Sequence, residues 1–218
     1  MVVTYTSALN PDITDEEILR SLPPEAQPIR AQILEQARRK SNYLLAFDGT
    51  SSEYYLADLA VDRNSPERIR ASGKDPDVGY YFLPKERKLL KAGSRLGERY
   101  LIEEPAFSLS STLINEQKTI LGYTCLRADM EVCGKSYTVY YTPEIPAATG
   151  PEHFVGLPGL VLQVIKSGGK RTLTATQVEM QETESLGSIY TFSAEGFRSR
   201  LIDPQPLRFA DLCNDVGK

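Results

Sequence analysis

Between residues 144 and 161 the chain carries Glu144-Ile145-Pro146, then Gly150-Pro151-Glu152-His153-Phe154-Val155, then Gly156-Leu157-Pro158-Gly159-Leu160-Val161. Nowhere else are backbone-restricted residues so dense. Proline fixes φ and has no N–H, so Pro146, Pro151 and Pro158 cannot donate to a β-ladder. Each also drives the residue before it towards extended backbone. Gly156 and Gly159 bracket Leu157-Pro158, which permits a sharp turn or the close approach of another backbone. The run Leu160 to Ile165 that follows reads as a well-buried strand. Ser136 to Thr142, ahead of the stretch, has strand composition as well. The stretch is therefore a crossover between two core strands. It is either a stiff connector or a shaped loop that docks a ligand or partner, and ordinary Pro/Gly punctuation favours the connector.

The flanking sequence is mainly β. Val3, Tyr5 and Leu9 share one face of a first strand. Thr14 and Glu17 form a capping-box pattern, so a short helix is expected from near Asp15. Pro23-Pro24 breaks it, and a second helix follows with Ile29, Ile33, Leu34 and Ala37 on one stripe. From Ser41 the pattern is β throughout. Asp48-Gly49 is a hairpin signal between Asn42–Phe47 and Glu53–Val61. Asp62 to Asp77 reads as an exposed loop. Gly79–Leu83 pairs with Lys88–Leu90, and Arg99–Glu103 follows. After a linker at Pro105–Ser111 come a long strand over Lys118–Val132, a turn at Cys133-Gly134-Lys135, and the return Ser136–Thr142. Beyond the crossover, Leu160–Lys166 and Arg171–Met180 form a last hairpin. A short helix from Ser193 to Leu201 and a tail complete the chain.

About ten antiparallel strands cannot stay flat, because sheets twist and curl. The expected fold is one large curved antiparallel sheet or half-open barrel with one main helix packed on it. By analogy this is the lipoprotein-carrier arrangement. A single domain is expected over residues 1–218, with N-terminal strands and helices in 1–104, a motif-bearing meander in 118–181, and a C-terminal helix and tail in 190–218.

Composition excludes several classes. The chain has 218 residues, 25% of them charged, with a net charge of -4. A nucleic-acid binder usually presents a basic face, so none is expected. No apolar run is long enough to span a bilayer as a helix. Met1 leads straight into the strand pattern Val2–Tyr5, so no leader peptide is read there. The three cysteines are Cys125, Cys133 and Cys213. Cys125 and Cys133, about eight extended residues or roughly 26 Å apart, cannot bridge. Cys125–Cys213 is the pairing to consider, against the alternative of three small buried thiols.

Motifs around the crossover add a resemblance. Gly122-Tyr123-Thr124-Cys125 with Ala128, then Tyr140-Tyr141-Thr142-Pro143-Glu144-Ile145-Pro146, then Gly150-Pro151, Phe154 and the hexad Gly156–Val161 all occur in order. Over Lys118–Gln181 the chain resembles the GLPGLI family, envelope proteins of Bacteroidetes-type bacteria with no settled biochemical activity. Tyr140 stands where the family usually has Trp, and Val161 where it has Ile. The resemblance implies an exported protein, periplasmic or associated with the outer membrane.

Catalytic constellations are sparse. His153 is the single histidine, so any Ser-His-Asp or Cys-His arrangement has to use it. One His with three scattered Cys makes no zinc pattern. The adjacent pairs Glu16-Glu17 and Glu103-Glu104 point in different directions and do not imply a shared proton. No metal and no cofactor is expected. Tyr54-Tyr55, Tyr80-Tyr81 and Tyr140-Tyr141 are strand doublets whose amphipathic rings suit a groove or interface. The expectation is a non-enzymatic envelope protein that binds an apolar small molecule or a protein partner. A scaffold subunit beside an outer-membrane receptor or secretion machine is the second reading, and a hydrolase the least favoured. The candidate contact residues are Tyr140, Glu144, Pro146, Phe154, Leu157 and Pro158. Gly122, Tyr123, Cys125, Gly150, Pro151, Gly156, Gly159 and Leu160 are expected to shape the backbone.

Overall fold

The computed structural model describes residues 1–9, 13–20, 28–38, 40–56, 79–95, 98–105, 111–168, 171–180 and 205–206. The loop expected at Asp62–Asp77, most of the linker at Pro105–Ser111, the helix expected over Ser193–Leu201 and Cys213 lie outside them. The described strands are β1 (Val2–Leu9), β2 (Ser41–Phe47), β3 (Ser52–Leu56), β4 (Gly79–Leu83), β5 (Lys88–Arg95) and β6 (Glu98–Pro105), then β7 (Ser111–Ile120), β8 (Tyr123–Val132), β9 (Lys135–Thr142), β10 (Leu160–Lys166), β11 (Arg171–Glu179) and β12 (Gln205–Pro206). All belong to one unclosed sheet in the order β12-β6-β5-β4-β3-β2-β1-β11-β10-β9-β8-β7. Except for the two-residue parallel contact of β12 with β6, every neighbouring pair is antiparallel. The mainly β, large-sheet expectation is met.

Two meanders make up this sheet, β1–β6 and β7–β11, and β1 joins them. It is hydrogen-bonded to β2 on one side and to β11 on the other, with Tyr5 opposite both Tyr43 and Ala175. A β-bulge between Thr4 and Tyr5 shifts the β11 register, and bulges bend a sheet and increase its twist. The strand expected to run unbroken over Lys118–Val132 is divided instead. Leu121 and Gly122, with φ of 52° and 84°, turn the chain between Ile120 and Tyr123. Positive φ at both central residues matches the twist of the flanking strands, as in a primed hairpin turn. Cys133 and Gly134 make the equivalent turn between β8 and β9.

A smaller buried cluster of Tyr81, Leu90 and Ala92 lies on one face, while the main core cluster lies largely on the other. Val3, Tyr5, Leu45, Tyr54, Tyr80, Ala128, Met130, Val139, Leu173 and Ala175 are buried there as one cluster with Phe154, Leu157, Leu160 and Val161. Each large side chain so removed from water contributes on the order of 1.5–3 kcal/mol.

The two helices among the described residues are short. At α1 (Asp15–Arg20) the capping box forms: Thr14 N–H donates to Glu17 Oε2 at 2.8 Å, and Glu17 N–H donates to Thr14 Oγ1 at 3.3 Å. The Arg38 guanidinium at the end of α2 (Arg30–Arg38) binds both Asp15 oxygens at 2.7 and 2.8 Å, which ties the helices together. α2 touches β1. No helix among the described residues is long and apolar enough to cross a membrane.

Candidate functional site

The crossover from β9 to β10 folds back across the core face. Its hydrogen bonds are largely local: Gly156 N–H donates to Ala148 O, Leu160 N–H to Ile145 O and Val161 N–H to Thr149 O, each at 3.0–3.1 Å. Close packing explains two glycines. A Cβ on Gly159 would overlap the Thr142 carbonyl oxygen and lie 2.9 Å from Pro143 N. A Cβ on Gly150 would overlap the Phe154 carbonyl oxygen and lie 2.6 Å from Val161 Cβ. Gly156 takes φ +87°, a region open to glycine at little cost. The buried hydroxyls of Thr149 and Ser52, 2.6 Å apart, pin the crossover to β3.

Glu152 and His153, at the centre of the crossover, are thereby held over the tyrosine face. The His153 ring lies 6.2 Å from the Tyr80 ring on β4 and 6.4 Å from the Tyr137 ring on β9. Tyr80 and Tyr137 therefore sit within about 13 Å of each other. Six strand spacings separate β4 from β9, which in a flat sheet is roughly 29 Å. The sheet must be strongly curved, and the crossover occupies its concave side. Tyr5 ties the curve together: its hydroxyl donates to the Val161 carbonyl at 2.5 Å across the intervening strand.

Around His153 the tyrosines form a contiguous wall. Tyr54 stacks on Tyr43 at 5.4 Å and meets Tyr5 and Tyr80 edge-on at 6.1 Å. The Lys91 ammonium, directly across from Tyr80 in the β4–β5 register, lies 5.4 Å from the centre of the Tyr80 ring, a cation–π arrangement. Lys91, Glu152 and His153 each retain some open surface although protein surrounds them densely, and half-buried Tyr137 lies beside them. That combination describes the lining of a recess. Its low polarity shifts the titrating groups. Burial pushes the Glu152 carboxyl above its ordinary range, and nearby Lys91 offsets part of the shift. Burial and then Lys91 lower His153 to about 3. Burial lowers Lys91 while Glu152 pulls it back. Burial and then the Glu152 charge raise Tyr54 and Tyr80. Glu152 also has φ 54°, uncommon for a side-chain-bearing residue outside turns and functional sites. Clustered perturbed groups in a concave setting are the physical profile of a working site. No group of three or more His, Cys, Asp or Glu among the described residues is placed to hold a metal ion.

The six contact residues expected from sequence do not assemble in one place. Phe154 and Leu157 join the core. Pro146, Pro158 and Glu144 are exposed, and one Glu144 oxygen accepts the Thr124 N–H at 2.7 Å. Tyr140 lies on the opposite sheet face, paired with Arg127 and Gln163. Its hydroxyl donates to Glu116 Oε1 at 2.5 Å, and Lys118 Nζ sits 4.4 Å above its ring. Arg127 binds Glu116 at 2.7 Å and grips Asp129 at 2.8 and 3.0 Å. Among the backbone-shaping residues, Gly122 makes the β7–β8 turn, Tyr123 is half-buried, and Cys125, Pro151 and Leu160 are buried. Cys125 is a free thiol and Cys133 is disulfide-bonded, so the Cys125–Cys213 pairing is corrected. Of the recess residues outside the crossover, Tyr54 and Tyr80 belong to the tyrosine doublets read as suited to a groove, each doublet placing one ring on each face, whereas Lys91 and Tyr137 had no motif to mark them.

The chain folds like part of PNGF-II. Solved structures of PNGF-II in the C2 and P21 space groups superpose with a TM-score of 0.55 at 13% identity. The likeness covers 98% of this chain but only 32% and 33% of theirs, so the chain spans about a third of their length. A family model described as the N-glycanase peptide, N-terminal domain, matches residues 100–195. The matched stretch contains β7 to β11 and the whole crossover. No curated protein matches the sequence. These findings overturn the expectation of a non-enzymatic protein that binds an apolar ligand or scaffolds a receptor. The family matched is named for an N-glycanase.

Proposed function

We propose that this chain serves as the N-terminal domain of an N-glycanase-type hydrolase and engages asparagine-linked glycopeptides. The match of residues 100–195 to the N-glycanase N-terminal domain carries the reading. The shared fold over nearly the whole chain supports it. The concave recess adds a place of contact, because binding sites are concave and combine aromatic walls with a few polar groups. We further propose an oxidising, extracytoplasmic setting. The disulfide at Cys133 supports it, since such bonds persist where thiols are not kept reduced. The resemblance of the Gly156–Val161 hexad to envelope proteins supports the same setting.

The test uses a fluorescent N-glycopeptide and the same peptide without glycan, each incubated with the chain. Binding is read by anisotropy and glycan release by mass spectrometry. Preference for the glycosylated form of at least tenfold, or release of its glycan, is the expected result. Equal affinity for both peptides with no release overturns the proposal.

A further inference from the structure

Cys133 is disulfide-bonded, whereas Cys125 is a free thiol. The remaining cysteine of the chain is Cys213, which leaves it as the partner. Cys133 stands in the tight turn between β8 and β9, with φ 53°, packed against the main core cluster. It is a firm post. The other end of the bond is tied down nearby in the chain. Seven residues before Cys213, Pro206 pairs with Leu101 of β6 as the last contact of β12.

These two anchors are far apart in the strand order. Nine strand spacings separate β12 from β9, roughly 43 Å if the sheet were flat. Seven extended residues reach about 25 Å at most, and a disulfide adds no more than about 7 Å between Cα atoms. A bond from Cys133 to Cys213 and the pairing of β12 with β6 therefore cannot coexist in a flat sheet. Together they require the two meanders to bend towards each other. The ring distances from His153 to Tyr80 and to Tyr137 report the same bend by an independent route. The pairing of β12 spans only two residues, fewer than the usual three to ten or so of a strand. A second tie at that edge is what such a short strand needs.

We infer that a Cys133–Cys213 disulfide straps the β6 edge to the β8–β9 turn and makes the curvature of the sheet redox-sensitive. The inference stands apart from the glycopeptide reading. A dithiol reductant opens the strap by exchange. Its first thiolate attacks one bridge sulfur, forms a mixed disulfide and releases one cysteine. Its second thiolate closes the reductant into a cyclic disulfide and releases the other. Two electrons and two protons thereby pass to Cys133 and Cys213, which become thiols. Cys125 is fully buried, so it does not compete for either sulfur. With the strap open, the two meanders lose a covalent tie, and the crossover packed between them loses the support of a fixed curve.

Non-reducing peptide mapping of the unmodified chain is the first test. Cys133 and Cys213 should be recovered as one linked pair within a monomer. A bond to Cys125, a bond between two chains, or a free Cys133 overturns the inference. Hydrogen exchange then separates a strap from a mere tether. It is measured on the unmodified chain before and after dithiothreitol, and on Cys133→Ser and Cys213→Ser. Opening the bond should speed exchange by roughly tenfold or more at Gly156 and Val161, whose amides donate within the crossover. The two variants should behave alike and show no further response to dithiothreitol. Each should melt about 10 °C lower, as expected for loss of a bond that closes a loop of roughly 80 residues. Unchanged exchange at Gly156 and Val161 on opening means that the bond only tethers the tail, and the strap is overturned. Should either variant fail to fold, the reduced unmodified chain supplies the same readout.

Discussion

Gly159 and Gly122 both resist larger residues, for different physical reasons. At Gly159 a Cβ would strike the Thr142 carbonyl, which is backbone and cannot yield. At Gly122 nothing lies within 4 Å of a Cβ, but φ is +84°. Gly159→Ala should therefore cost about 3 kcal/mol, the upper part of the range for overpacking. Gly122→Ala should cost about 1–2 kcal/mol, the strain of a left-handed L-residue. Urea unfolding curves of the two variants check the order, and a Gly159→Ala loss no larger than that of Gly122→Ala would show that the β9–β10 contact relaxes easily. Gly156-Leu157-Pro158-Gly159 announced this tight packing in the sequence, because each residue restricts the backbone in a known way. Glu152 announced nothing. A carboxylate held at φ 54° between glycine-rich turns has no compositional mark, and its role emerges only from the tyrosines and lysine brought to it by other strands.

At the scale of elements, the crossover divides into an inward and an outward side that alternate along the hexad. Leu157 is 3% exposed in the main core cluster, whereas Pro158 points outward. Leu157→Ala should destabilise the chain by about 2–5 kcal/mol through the cavity it leaves. Pro158→Ala should cost less than about 1 kcal/mol, since only its restriction of the unfolded chain is lost. Thermal denaturation distinguishes them, and comparable losses would mean that Pro158 sets the crossover path. The same contrast explains what could be read in advance. Alternation located most strands, and the Thr14–Glu17 pair located the first helix, because both signals are local. The break between β7 and β8 stayed hidden. Leu121-Gly122 is a poor advertisement for a turn whose favoured sequences are Asn-Gly and Asp-Gly, and Leu121 adopts φ 52° without a side chain that prefers it. Tyr140, on the strand Ser136–Thr142, is a candidate contact in the sequence, but strand alternation places it on the far face from Tyr137, which packs on Phe154.

For the molecule as a whole, the decisive contact is the pairing of β1 with β11, about 170 residues apart. Periodicity reports which face a residue occupies, not which strand lies beside it, so the join between the meanders and the depth of the curve were not legible. That join creates the recess, and the recess couples a titrating group to global stability. His153 is held at about 3 in the folded chain, against about 6.5 when unfolded. Between those values the unfolded chain binds a proton that the folded chain refuses, so folding stability must fall as pH drops. The slope approaches about 1.4 kcal/mol per pH unit at most, less where the open side of the recess admits water. Glu152 acts with the opposite sign: its folded value is raised, so its contribution is complete at low pH and declines as pH rises through that raised value. A comparison of the unmodified chain with His153→Gln removes the Glu152 effect, which both carry, along with those of Lys91 and the surface carboxylates. Urea midpoints measured from pH 7 down to pH 4 should show the unmodified chain losing stability relative to His153→Gln from near pH 6.5 downward. Parallel pH profiles would mean that the folded chain accepts the proton freely and that His153 faces water. A widening gap would mean that the curved sheet and its crossover keep a dry, neutral imidazole at the floor of the recess, which is the environment the tyrosine wall was inferred to provide.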